Sequence, residues 1–128
     1  MSFDVIEHLA DDGKFIEICL GLLKKGGRLI IGTPNIGRLT ARLQDLVRGK
    51  RKFPYSYGKN EVCGDILHLR EYDKKMLFTL FSKFLPEIRF EIRPFFLGIR
   101  GVKKLFGIKE PKFLGSISSY WIVYAEKI

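Results

Sequence analysis

The chain has 128 residues, enough for one compact domain and too few for two. At 46% hydrophobic it can bury a core, which excludes wholesale disorder, and no apolar run nears the roughly 20 residues of a membrane span. A formal net charge of +9 favours anionic partners, whether nucleic acid, a phospholipid surface or a phosphorylated substrate, although a basic face alone gives the same balance.

The opening stretch, Ser2-Phe3-Asp4-Val5-Ile6-Glu7, is predicted as a short strand. Phe15, Ile16, Ile18, Cys19, Leu22 and Leu23 then follow the spacing of one helix face. Asp11 or Asp12 can cap that helix, and Lys24-Lys25-Gly26-Gly27 closes it with base and glycine. Arg28-Leu29-Ile30-Ile31-Gly32-Thr33 is too short for a helix and rich in β-branched residues. It reads as a buried strand, parallel to the first because a helix has just returned the chain to the sheet, and Pro34-Asn35 stops it. Strand, helix and strand in this order define a βαβ unit and an α/β class.

Leu39, Leu43, Leu46 and Val47 give helical spacing between Ile36 and Val47. A charge run from Arg48 to Lys52 and an aromatic loop from Phe53 to Gly58 follow. Together Arg48 to Tyr57 has the mixture found in nucleic-acid grooves, or forms a solvated turn in a substrate-covering insertion. Asp73 can cap a second amphipathic helix made of Met76, Leu77, Leu80, Phe81 and Phe84, which Pro86 closes. Residues Ile88 to Arg93 alternate with the period of a half-exposed strand. Residues 99–114 suit either an amphipathic element on a membrane surface or a lid helix, and Tyr120 to Ala125 is a final strand. The whole is one domain, 1–128, with variable stretches at 36–66 and 94–118.

The two cysteines make no disulfide framework: Cys19 has the setting of a small core residue, and Cys63 has no second cysteine at metal spacing. The first residues carry acid where a signal peptide carries base, so a reducing cytoplasm is the expected compartment. Asp4, Glu7 and His8 place two carboxylates and an imidazole within five positions at the end of a strand. Such a set can bind a hard or borderline divalent ion such as Mg²⁺. His68, the only other histidine, falls where a later ligand can return to that site. The alternative is that Glu7 and His8 orient a loop while His68 caps or packs.

Phe3-Asp4-Val5-Ile6-Glu7-His8-Leu9, followed by Leu23-Lys24-Lys25-Gly26-Gly27-Arg28-Leu29-Ile30-Ile31-Gly32-Thr33-Pro34-Asn35, resembles consecutive motifs of the class I S-adenosylmethionine-dependent methyltransferases. His68-Leu69-Arg70-Glu71-Tyr72 before a helix, and a last strand ending Ala125-Glu126-Lys127, resemble that family's later landmarks. The resemblance implies a partial Rossmann-like sheet flanked by helices, carrying the last four strands at 2–6, 28–33, 87–93 and 119–126. The final strand would run antiparallel, paired with its predecessor at one edge. Asp4, Glu7 and His8 would meet the cofactor, and Glu7 and His8 would serve catalysis, in a methyl transfer to an acceptor oxygen. Asp4-x-x-Glu7-His8 is also similar to the Glu-x-x-Glu-His metal motif of small-RNA 2′-O-methyltransferases and some quinone-pathway O-methyltransferases, with Asp4 a shorter arm than glutamate.

The family's glycine-rich cofactor loop has no counterpart here. Gly26-Gly27 follows a helix and precedes a strand, the reverse of what a phosphate- or cofactor-cradling turn requires, and Gly98-Ile99-Arg100-Gly101 reads as loop. A sheet beginning at the fourth strand also exposes a raw edge. The chain is therefore expected to be part of a longer enzyme, to receive the missing half from a second chain, or to self-associate through that edge. A non-catalytic basic module on an anionic partner, or an inactive truncated product, are the competing expectations.

Overall fold

The structure, a computed structural model, describes residues 1–60, 64–95, 116 and 118–128. Its first half runs β1 (Ser2–Phe3), a 3₁₀ turn (Ile6–His8), α1 (Asp12–Gly21), β2 (Arg28–Pro34) and α2 (Leu39–Arg48). The second half runs β3 (Tyr55–Asn60), β4 (Gly64–His68), α3 (Lys74–Ser82), β5 (Ile88–Phe95) and β6 (Tyr120–Lys127).

Four strands form one mixed sheet in the order β1-β2-β6-β5, and β3 with β4 forms a separate antiparallel hairpin. β1 pairs in parallel with β2, Ser2 opposite Ile31 and Phe3 opposite Gly32. β6 runs antiparallel to both neighbours, with Val123 facing Ile31 on one side and Ile92 on the other. The α/β class, the antiparallel last strand and its pairing with β5 at an edge agree with expectation.

Local chemistry explains the elements. Asp11 caps α1 by accepting the Lys14 amide at 2.8 Å, and Asp73 caps α3 by accepting that of Met76 at 2.7 Å. At the other end of α1, Lys127 Nζ donates to the carbonyls of Leu20 (2.9 Å) and Leu23 (3.0 Å). A cation from the last strand thus satisfies the helix's unpaired carbonyls. The core lies on one face of the sheet, where Ile16 and Leu20 of α1 and Leu77, Leu80 and Phe81 of α3 cover Leu29, Ile31, Ile88, Ile92, Trp121 and Val123. The opposite face carries Arg28, Arg89, Glu91, Arg93, Tyr124 and Glu126, all exposed. The two core helices therefore share one side of the sheet instead of flanking both.

Two expectations change. The first strand ends at Phe3, not residue 6, because Asp4 takes a left-handed φ of +53° and turns the chain into the 3₁₀ turn. Aspartate tolerates that conformation better than most residues. The segment from Phe53 to Gly58, expected as loop, contributes to a hairpin in which Tyr55 faces His68. The helical spacing read between Ile36 and Val47 is realised as α2, with its apolar stripe on the outside. Cys19 packs against the core, half-buried, as expected. Cys63, Gly98 to Gly101 (read from sequence as loop) and residues 99–114 lie outside the described residues.

Candidate metal centre

The 3₁₀ turn that Asp4 initiates carries Glu7 and His8 across the C-terminal ends of β1 and β2. Open α/β sheets bind ligands at this end of their strands. The Glu7 carbonyl accepts the amides of Leu69 (2.9 Å) and Arg70 (3.3 Å), which draws the end of β4 onto the turn. His68 is thereby placed beside His8, ring centroids 4.8 Å apart and nearly perpendicular at 74°. One ligand atom each from Glu7, His8 and His68 falls within 4.8 Å of the other two. Asp4, an expected fourth ligand, is not in this group. It is exposed, and borders a cavity of about 500 Å³ that His8, His68, Arg38, Thr40 and Tyr120 also line.

Each member of the trio is held by a second residue. The Thr33 hydroxyl donates to Glu7 Oε2 at 2.9 Å. Glu7 is wholly buried, and its Oε1 has no hydrogen-bond partner among the described residues. Burial raises the Glu7 carboxyl above its ordinary value; its own amide and Thr33 oppose the rise, and the Asp4 charge adds to it. His8 Nδ1 lies 2.6 Å from the Leu67 carbonyl, which can only accept. Nδ1 therefore carries a proton, and in a neutral imidazole the lone pair is then on Nε2. His68 Nδ1 lies 3.2 Å from Glu71 Oε1, so the same tautomer holds there. Burial lowers the His68 pKa, Glu71 opposes that, and the nearby His8 and Arg38 add to it. A neutral imidazole is the form that ligates metal.

Glu71 is the centre of an ion-pair cluster that sequence reasoning did not assign. Its Oε2 accepts from Arg38 at 2.6 Å and from Arg51 at 2.9 Å, and Arg51 also reaches Asp45 at 2.9 Å. Burial alone would raise the Glu71 carboxyl, but Arg38, Arg51 and His68 together hold it below the ordinary range. The side chain of Arg51, expected in a solvated charge run, is only 7% exposed. The available signal was the i, i+3 spacing of His68 and Glu71, which suits a carboxylate orienting a ligating histidine. Asn35, read as a strand stop, is a buried hub: its side-chain amide donates to the carbonyls of Ser116 (3.1 Å) and Ser118 (2.9 Å), and its Oδ1 accepts the Gly37 amide.

The trio passes a test of fit for a cation. A buried carboxylate oxygen without a partner costs free energy that a bound cation would recover. Two imidazole nitrogens with one carboxylate suit Mn²⁺, Co²⁺ or Zn²⁺ better than Mg²⁺, which prefers oxygen ligands. Compared with known proteins, the chain matches no family model and no curated protein. The site's own chemistry therefore carries its interpretation.

Proposed function

We propose that this chain is the acceptor-side part of a class I S-adenosylmethionine-dependent O-methyltransferase, with a divalent cation held by Glu7, His8 and His68. Glu7 is the observation that carries this assignment: a buried carboxylate with one unpartnered oxygen, beside two oriented imidazoles that line a cavity. Support for the family comes from the strand order β1-β2-β6-β5 with β6 reversed, the arrangement expected of its last four strands.

A bound cation at this trio would supply Lewis acidity, lowering the pKa of an acceptor hydroxyl in the cavity. The chain's own residues do the positioning. Leu67 and Glu71 fix the two histidine tautomers, Thr33 fixes one oxygen of Glu7, and Arg38 and Arg51 keep Glu71 charged. Asp4 and Thr40 on the cavity wall offer polar atoms to an acceptor.

The methyl donor does not fit the described residues. Gly26, at φ +76°, and Gly27 join α1 to β2 and exchange backbone hydrogen bonds with Lys127. Gly32 is covered by the Phe3 ring. None of these glycines leaves backbone amides open to a cofactor, and we infer that the donor is held outside the described residues.

Two measurements test the proposal. Co²⁺ added to the chain should give the visible bands of histidine ligation, and Glu7→Gln or His68→Ala should weaken binding at least about tenfold. Protein isolated from its source with this chain should transfer label from S-adenosylmethionine only while a divalent cation is present. Co²⁺ binding indifferent to Glu7→Gln would remove the metal centre, and label transfer indifferent to chelation would remove its role.

A further inference from the structure

Helix α2 is amphipathic with its polarity inverted. Leu39 and Leu43 are 52% and 55% exposed, and Leu46 and Val47 are each 82% exposed. Their i, i+4, i+7, i+8 spacing puts all four on one stripe. The helix touches the protein with its other side, where Ala41 is its only buried residue and Asp45 reaches Arg51. A surface helix ordinarily turns such a stripe inward. Four large apolar side chains in a row on the outside mark a contact surface.

The charge around the stripe identifies the occupant. Lys50 and Lys52, just past the helix, are exposed, as is Arg42 at the stripe's flank, its Nε donating to the Gly37 carbonyl at 2.8 Å. Arg48 is exposed too, but lies seven residues from Ala41, on the far side from the stripe. Asp45 is the only acid between residues 38 and 52, and Arg51 holds it. A second copy of the chain is a poor occupant, because stripe-to-stripe pairing would bring two such basic rims together on molecules of formal charge +9 each. An anionic bilayer offers apolar depth to the stripe and phosphate to the rim at once.

We propose that α2 is a membrane-docking helix, lying in the plane of an anionic phospholipid surface with Leu39, Leu43, Leu46 and Val47 among the acyl chains. At ten residues it is about 15 Å long, half a bilayer's hydrocarbon thickness, so it lies on the membrane and does not cross it. No helix among the described residues is long and apolar enough to span. Docking needs neither a metal nor a methyl donor and stands apart from the proposed activity.

The test is co-sedimentation of the full chain with vesicles. Binding should be strong to equal parts phosphatidylglycerol and phosphatidylcholine, weak to phosphatidylcholine alone, and reduced by salt. The double variant Leu46→Ser/Val47→Ser should bind the anionic vesicles on the order of tenfold more weakly. The pair Lys50→Gln/Lys52→Gln should lose a similar factor and much of the salt dependence. Both pairs are exposed, and circular dichroism should show the parent fold in each variant. Equal binding to neutral and anionic vesicles, or undiminished binding by the serine variant, overturns the proposal. So does a concentration-dependent dimer in analytical ultracentrifugation that the serine variant abolishes, which would assign the stripe to a second copy.

Discussion

The Nδ1–H of His68 donates to Oε1 of Glu71 at 3.2 Å, while Oε2 of the same carboxylate takes Arg38 and Arg51. One buried carboxylate therefore joins the candidate metal centre to an ion-pair cluster reaching into α2 and the segment after it. Three charges cluster where water is scarce, an arrangement that stays favourable only while every member is present. The orientation of His68 therefore depends, through Glu71, on residues 30 and 17 positions earlier in the chain.

Glu71→Gln should destabilise the protein by about 3 kcal/mol, the low end for breaking a buried ion pair, because Arg51 retains Asp45 and Arg38 is partly exposed. The folded-state pKa of Glu71 is depressed below its ordinary value of 4.5. Its stabilisation is thus present above pH 4.5 and is lost as pH falls through the lower folded value. Urea unfolding of parent and variant at neutral and acid pH should show the gap between them closing on acidification. A gap independent of pH would mean that packing, not charge, holds this residue.

Glu7→Gln should act in the opposite direction. With no cation added, burying a carboxylate that has one oxygen unpartnered and no counter-charge bonded to it costs stability at neutral pH, so the glutamine variant should be more stable by on the order of 1 kcal/mol. Added Mn²⁺ or Co²⁺ should raise the melting temperature of the parent and leave the variant unmoved. A residue whose loss stabilises the empty protein and abolishes stabilisation by metal is serving a ligand. If Glu7→Gln destabilises the metal-free protein, Glu7 is an ordinary structural acid.

Local pattern made much of the fold legible. The cap at Asp11, the cap at Asp73, the alternation of Ile88, Phe90 and Ile92 inward against Arg89, Glu91 and Arg93 outward, and the last strand are each written within a few consecutive residues. Asp4, Glu7, His8 and His68 were legible as residue types that can ligate a cation; the fold brings the last three within 4.8 Å of one another and leaves Asp4 outside that group. Less visible was everything settled by distant partners. Periodicity gave α2 its stripe but could not say which side the protein lies on. Arg51 looks like solvated charge until Glu71 arrives from 20 positions away. The hairpin from Tyr55 to His68 is specified by pairing across strands more than by alternation within them.

Gly32→Ala should loosen the start of the chain. A Cβ on Gly32 would collide with the Phe3 ring, which lies over this glycine. Phe3 is 47% exposed in a two-residue strand, so it yields before β2 does. The expected cost is about 1–2 kcal/mol, as for overpacking elsewhere, with faster amide exchange at Asp4, whose N–H bonds the Gly32 carbonyl. Because Asp4 sets the turn that carries Glu7, the variant should also bind Co²⁺ more weakly. Unchanged exchange at Asp4 would show that the ring moves aside without disturbing the turn.

Lys127→Met should uncap α1 from the far end of the sequence. Methionine keeps the length and the apolar stem of lysine but removes the ammonium that serves the carbonyls of Leu20 and Leu23. Hydrogen bonds from a charged donor contribute about 1.5–3 kcal/mol when buried, and partial exposure at the helix end reduces this to about 1 kcal/mol. The backbone bonds linking Gly26 and Gly27 to Lys127 do not involve the side chain and should persist. Amide exchange should therefore quicken in the last turn of α1 while β6 keeps its protection. Loss of protection in both would mean that the ammonium fastens the helix to the sheet as well as capping it, and retention in both would mean that water satisfies those carbonyls equally well.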